Sequence, residues 1–232
     1  MRSAARYIAV LALLASQFLA FSVSPSFAAT NVTATGTNPA YCNQTAGFPG
    51  SVTAVRLAGG DCLIKFIGDS TWTVPAGTTS VRFLLVGGGA SGMGDGGGGG
   101  GGGGGLAATG RPVTPGTVVS VDVGAGGNGD SQDIGSDTRV DLDGNSLFEW
   151  VAKGGSTGGG CTSSTGGTGG QTVTHANATN LTGGNGGNGP TGCAQGTAAT
   201  NTGIGNGFTS DITGSTLYYG GGGGGGIGAF SW

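Results

Sequence analysis

The chain has 232 residues, of which 58 are glycine and 8 % are charged, and its formal net charge is −3. Ordinary globular chains carry about 7 % glycine. With so few charges and a slight excess of acidic residues, the chain lacks the basic surface of a nucleic-acid-binding protein. It also lacks the high charge that keeps charged disordered segments extended.

The N-terminus has the pattern of an export signal. Arg2 and Arg6 precede the apolar stretch Tyr7–Phe21, and small residues at Ser26 and Ala28 predict cleavage after Ala28. A retained membrane anchor is the alternative, but an apolar run of about 15 residues is shorter than the roughly 20 that span a bilayer. We therefore expect an extracellular, secreted or cell-surface protein with no membrane span after cleavage.

This pattern divides the chain into three parts. We expect a signal peptide at 1–28, an N-terminal extension or edge strands at 29–60, and a glycine-rich domain at 61–232. Since no glycine precedes Gly36, the mature chain is richer in glycine than the whole.

Four cysteines occur: Cys42, Cys62, Cys161 and Cys193. An even number in an exported chain favours disulfides, and three pairings are possible. We favour Cys42–Cys62 and Cys161–Cys193, because each pair lies within one compositional block. Zinc binding is the alternative, but no Cys-x-x-Cys spacing occurs and the chain has one histidine. The sequence therefore predicts no metal site.

Short apolar and alternating segments rich in β-branched and aromatic residues predict strands. They are Cys62–Ile67, Thr71–Val74, Ser80–Val86, Thr117–Val123, and a hairpin of Arg139–Leu142 and Leu147–Val151 around the turn Asp143-Gly144-Asn145. Trp72 and Trp150 lie in these strands and are expected in the core. Because the mature chain lacks helical periodicity, we expect no helix in it.

Glycine tracts follow the strands. Gly96–Gly105 and Gly220–Gly226 are unbroken runs, whereas Gly183–Gly189 repeats Gly-Gly-Asn. A polyproline-II-type helix has three residues per turn and no internal hydrogen bonds, so side-chain-free helices can pack closely and bond to one another. A pure run suits the interior of such a bundle, and a Gly-Gly-Asn repeat suits its surface with asparagine outward. A flexible glycine linker is the alternative.

The order of these segments resembles a known family. The run Cys62–Phe66, then Thr71–Gly89 with its Trp-x-Val-Pro-x-Gly pattern, then Val113–Gly127, is similar to the bacterial glycine-rich domain of secreted and surface proteins. The resemblance implies an antiparallel β-sandwich-like region combined with a bundle of polyglycine-II helices, as in phage tail adhesins. It brings no catalytic residues.

The sequence motifs that could indicate catalysis, metal binding or cofactor binding are weak. Gly92–Gly97 matches a dinucleotide-binding pattern, but no helix is predicted to follow it. Asp141 to Asn145 hints at calcium but fails the spacing of an EF-hand, so we read it as a turn. His175, the single histidine, lies in a polar stretch. We therefore predict no catalytic residue and no cofactor.

Tyr218, Tyr219, Asn185 and Asn188 are the residues most able to contact a ligand on the surface. The leading hypothesis is a non-enzymatic structural or adhesive module, with surface glycan, cell-wall polymer or self-association as its contacts. Ice binding is the alternative, because some antifreeze proteins are disulfide-linked bundles of Gly-Gly-x helices and residues 154–193 have a similar pattern. A flat apolar face is expected for ice binding, whereas asparagine dominates the repeats here. A secreted hydrolase ranks third.

Overall fold

A computed structural model describes residues 30–34, 52–92, 97–128, 133–145, 147–160, 165–171, 178–189 and 206–223. The predicted signal peptide, His175 and three cysteines, Cys42, Cys161 and Cys193, lie outside these ranges. The described residues form twelve strands and no helix, so none of them builds a helix able to cross a membrane. The prediction of a mostly β fold with antiparallel sheets is confirmed.

The strands are, in chain order, β1 (Thr30–Ala34), β2 (Val52–Arg56), β3 (Cys62–Phe66), β4 (Ser70–Thr73), β5 (Ser80–Val86), β6 (Gly105–Pro112), β7 (Val118–Asp122), β8 (Thr138–Asp141), β9 (Trp150–Ala152), β10 (Thr179–Leu181), β11 (Phe208–Ser210) and β12 (Leu217–Tyr219). A six-stranded sheet has the order β10-β6-β5-β1-β3-β2. A four-stranded sheet has the order β4-β7-β8-β9, and β11 pairs with β12.

One apolar core receives side chains from both larger sheets. Ile64, Phe66 and Phe83 of the six-stranded sheet are fully buried in the same cluster as Trp72 and Trp150 of the four-stranded sheet. The rings of Phe83 and Trp150 meet edge to face with centroids 5.1 Å apart. The expected core position of the two tryptophans is therefore confirmed.

Strand β5 is buried on both faces. Its residues Leu84 and Val86 point away from the main core and pack in a second cluster with Phe208 and Ile212. The β11–β12 hairpin thus covers this part of the six-stranded sheet. Burial on both faces explains why β5 reads as a nearly continuous apolar run rather than an alternating one.

The 29–60 segment supplies two strands to this sheet. β2 lies at the sheet edge, whereas β1 lies in the interior, paired antiparallel with both β3 and β5. Cys62, at the start of β3, is disulfide-bonded, and its partner lies outside the described residues. The pairing of the four cysteines therefore stays a prediction.

Six glycine-rich segments, called tracts here, lie between or beside the strands. They are tract I (87–91, after β5), tract II (97–104, before β6), tract III (153–160, after β9), tract IV (165–171), tract V (182–189, after β10) and tract VI (220–223, after β12). At the junction, the buried hydroxyl of Thr138 donates to the carbonyl of Val86 at 2.6 Å and accepts the amide of Gly124 at 2.9 Å.

Tract II donates hydrogen bonds at intervals of three residues. The amides of Gly98, Gly101 and Gly104 donate to tract III, each at 2.9 Å. Those of Gly99 and Gly102 donate to tract V, also at 2.9 Å. Successive residues of tract II therefore face different neighbours.

The carbonyls of tract II repeat the same pattern. Gly101 and Gly104 accept amides of tract I at 2.9 Å. Gly99 and Gly102 accept amides of tract IV at 2.7 and 2.8 Å, and Gly100 accepts the amide of Gly223 in tract VI at 2.8 Å. Tract II is thus bonded to five other tracts.

All described residues of the 96–105 run are buried, as expected for an interior segment. This burial requires the absence of side chains. A Cβ atom on Gly101 would overlap the carbonyl oxygen of Thr168, and one on Gly103 would overlap that of Gly87. Neighbouring backbones therefore occupy the volume that a side chain would need.

Replacing Gly101 by alanine should lower the free energy of unfolding by about 3 kcal/mol or more, because the added methyl group must displace a neighbouring backbone. Gly89→Ala is the matched control, since the nearest atom to its Cβ would be a carbonyl oxygen at 3.8 Å. The control should leave stability unchanged or raise it by up to about 1 kcal/mol by restricting the unfolded chain. Urea unfolding of the oxidised mature chain measures both, and equal effects would contradict the close packing.

Candidate functional site

Tracts IV and V expose every third residue. In tract IV, Thr165, Thr168 and Gln171 are exposed and the glycines between them are buried or half-buried. In tract V, Thr182, Asn185 and Asn188 are exposed between pairs of buried glycines. Each tract therefore presents one row of polar side chains to solvent.

Backbone hydrogen bonds fix the register between these rows. The amides of Lys153, Ser156 and Gly159 donate to the carbonyls of Gln171, Thr168 and Thr165, so tracts III and IV run antiparallel. The amides of Gly183 and Gly186 donate to Gly170 and Gly167, so tracts IV and V are also antiparallel. This register places Asn185 level with Thr168, and Asn188 level with Thr165.

Together the outward residues of the three tracts form a surface that we call the polar face. Its members are Lys153, Ser156, Thr165, Thr168, Gln171, Thr182, Asn185 and Asn188. Lysine is the one charged residue type among them. The face therefore offers hydroxyl and amide groups in rows that repeat every third residue along tracts IV and V.

The two asparagines also have a structural role that the sequence reasoning missed. The Oδ1 atom of Asn185 accepts the amide of Gly169 at 2.9 Å, and that of Asn188 accepts the amide of Gly166 at 2.9 Å. These amides belong to an outer tract, where a backbone partner is not available on every side. Both asparagines are exposed to solvent, and ligand contact by these residues stays a prediction.

Ser156 and Thr168 make the equivalent link between tracts III and IV. Their hydroxyl oxygens are 2.8 Å apart, and the amide of Thr168 donates to the Ser156 oxygen at 2.8 Å. The side-chain oxygens of Ser156, Asn185 and Asn188 thus bridge adjacent outer tracts. Ser, Thr and Asn suit these positions because each places an acceptor close to the backbone.

An ion-pair cluster borders the polar face at Lys153. The Asp137 carboxylate accepts bonds from the Lys153 ammonium at 2.7 Å, the Gly154 amide at 3.2 Å and the Arg139 guanidinium at 3.3 Å. Burial opposes ionisation of this carboxyl, but the three donors outweigh burial and hold the pKa of Asp137 below its ordinary value. Asp137 therefore fixes the start of tract III in its ionised form.

The two predicted tyrosines have different surroundings. Tyr218 is 75 % exposed and leads into tract VI, which accepts the amides of Gly184 and Gly187 and so lies beside tract V. Tyr219 stacks on Phe208 with ring centroids 6.0 Å apart, and burial raises the pKa of its hydroxyl. Tyr218 thus precedes a tract that lies beside tract V, while Tyr219 contributes to the second apolar cluster.

The Asp141 segment forms the expected turn. The Asp141 carboxylate accepts the amides of Asp143 at 3.1 Å and Gly144 at 2.9 Å, and Gly144 has a φ of +70°. No group of three or more His, Cys, Asp or Glu residues placed to hold a metal occurs within the described ranges.

A family model described as a glycine-rich domain matches residues 65–231. This span includes strands β4 to β12 and tracts I to VI, so it contains the whole polar face. Strands β1 and β2 and most of β3 precede it. No curated protein matches the chain.

Asn185→Ala should lower the free energy of unfolding by about 1–2 kcal/mol, because it leaves the Gly169 amide without its acceptor. Asn185→Asp keeps an oxygen at the same place and should lose less. Thr182→Ala, in the same row, serves as control and should stay within about 0.5 kcal/mol of the parent. Thermal and urea unfolding measure the series, and equal losses for alanine at 182 and 185 would refute the bridging role.

Asp137→Asn should lower stability by about 1 kcal/mol at neutral pH, because it removes the charge that binds Lys153 and Arg139. The pKa of Asp137 is lower in the folded than in the unfolded chain, so its contribution is complete above about pH 5 and disappears as the pH falls through the folded value. The difference between parent and variant should therefore shrink in acid. Denaturant unfolding from pH 7 to pH 2 tests this, with the exposed Asp211→Asn as control; a difference independent of pH would contradict it.

Proposed function

This chain belongs to the glycine-rich domain family, and from that premise we propose that it is an exported, non-enzymatic structural module that adheres to surface glycan or cell-wall polymer through its polar face. The observation that carries the proposal is the exposure of every third residue in tracts IV and V, held level by backbone bonds. Adhesion to a regular polymer needs a regular surface, and this arrangement supplies one.

The three-residue repeat supports an assignment of the tracts as polyglycine-II helices packed beside a sandwich-like pair of sheets. Successive residues of tract II bond to different tracts, and the residue three positions later bonds to the first tract again. A helix with three residues per turn has this symmetry. With a rise of about 3.1 Å per residue, equivalent side chains along a tract lie roughly 9 Å apart.

The chemistry of the polar face suits carbohydrate. Sugar polymers present hydroxyl groups at regular intervals and carry few charges, so they are recognised by hydroxyl and amide groups that both donate and accept. Thr182, Asn185 and Asn188 offer such groups in one row. The exposed ring of Tyr218 adds an amphipathic surface, of the kind that binding sites favour.

Export is part of the proposal and rests on the N-terminal pattern of charged, apolar and small residues up to Ala28. The disulfide at Cys62 is in keeping with an oxidising compartment.

Ice binding is the second candidate. Thr165, Thr168 and Thr182 stand at equivalent positions of the repeat, which is a regular arrangement of threonine. Asn185 and Asn188 share the same face and already bond to tract IV, so the surface is more polar than a flat apolar face.

The mature chain should co-sediment with insoluble cellulose, chitin or peptidoglycan, and Thr182→Glu should weaken that binding about tenfold, equivalent to about 1.4 kcal/mol. The substitution adds a charge to the polar face at a residue that bridges no tracts. Thr53→Glu, on exposed edge strand β2, is the matched control and should bind like the parent. Failure to bind any polymer or glycan array would overturn the proposal, and thermal hysteresis in the same protein would favour ice binding instead.

A further inference from the structure

Strand β1 holds an unusual place in the six-stranded sheet. It separates β10-β6-β5 from β3-β2, and it is the one strand through which those two groups are hydrogen-bonded to each other. Its backbone pairs from Thr30 to Ala34 with β3 and from Asn31 to Ala34 with β5. β1 therefore fills a slot with strands on both sides.

The slot is bordered by the most apolar strand of the protein. Phe83, Leu84 and Leu85 of β5 are completely buried, and Ile64 and Phe66 of β3 are as well. Without β1, both strands would present open edges beside apolar side chains, and such edges pair readily with any strand of suitable sequence. An empty slot is therefore a strong acceptor for an extended segment.

The chain length does not oblige β1 to enter its own slot. β1 ends beside Cys62 and β2 begins beside Phe66, so Ala34 and Val52 lie diagonally across β3, about 17 Å apart from strand rise and spacing. The favoured Cys42–Cys62 disulfide would hold the connection beside the end of β1, which leaves the chain from Ala34 to Cys42 as the tether. This tether spans up to about 27 Å when fully extended. This reach allows β1 to pair with a neighbouring molecule while β2 stays in its own sheet.

From this geometry we infer that the slot between β3 and β5 accepts β1 of a second copy of this chain, so that strand exchange links copies of the module. Exchange keeps every backbone bond of the slot and adds no new interface, which makes it a low-cost route to assembly. The tether holds β1 near its own slot at an effective concentration in the millimolar range. Exchange between copies therefore competes best with closure within one chain where the chains are concentrated.

The inference does not depend on the polar face, which lies in tracts III to V. Failure of polymer binding would leave strand exchange untouched, and failure of exchange would leave polymer binding untouched.

A disulfide trap tests strand exchange directly. Thr33 and Arg82 are paired positions of β1 and β5, and Arg82 otherwise makes an ion pair with Asp211, whose side chain is 75 % exposed. One preparation carries Thr33→Cys and the other Arg82→Cys; the two are unfolded, mixed, refolded together at increasing concentration and oxidised. A third preparation, Thr53→Cys on edge strand β2, replaces the Arg82 variant to measure random collision.

Strand exchange predicts a covalent Thr33–Arg82 heterodimer on non-reducing gels that grows with concentration and clearly exceeds the Thr53 control. The double variant, with both cysteines in one chain, should close within the monomer at low concentration. A heterodimer no more abundant than the control near millimolar protein, while the double variant closes, would overturn the inference. A double variant that fails to close would overturn it as well, because β1 would then not occupy the slot.

Discussion

The structure depends on the pairing of backbone amides that no side chain shields. A buried amide without a partner costs about as much as a lost hydrogen bond, and a glycine tract offers no apolar surface to offset that cost. Tract II meets this constraint by sending successive amides to tracts III and V and accepting others from tracts I, IV and VI. Since a Cβ on Gly101 would overlap a neighbouring carbonyl, the glycine content follows from the bonding itself.

The sheets and the tracts are continuous with one another. β5 leads into tract I, tract II leads into β6, and β9, β10 and β12 lead into tracts III, V and VI. The apolar core around Phe83 and Trp150 fixes the positions of these strands, and the strands in turn fix where each tract begins. Ordinary hydrophobic packing in one region thus aligns a region that has almost none of its own.

Much of the strand region was predictable, because β3, β4, β5, β7 and the β8–β9 hairpin carry apolar patterns and turn residues that act locally. Strand β6 was missed, because Gly105–Pro112 has weak strand propensity and becomes a strand through pairing with β5. The bridging role of Asn185 was missed for a similar reason: its partner, Gly169, comes beside it only through the folded register. The shared three-residue spacing of tracts IV and V was the available signal. It indicated outward asparagine but not what the asparagine binds.

The three-residue bonding cycle constrains how such a protein changes length during evolution. Adding or removing three residues in an outer tract returns each later residue to the same side, so bonds and outward side chains stay in phase. Adding one residue turns every later position by a third of a turn, which drives side chains such as Asn188 into neighbouring backbone and exposes glycine in their place. We therefore expect these tracts to tolerate insertions and deletions in triplets of amino acids, much as a coding sequence tolerates them in triplets of bases.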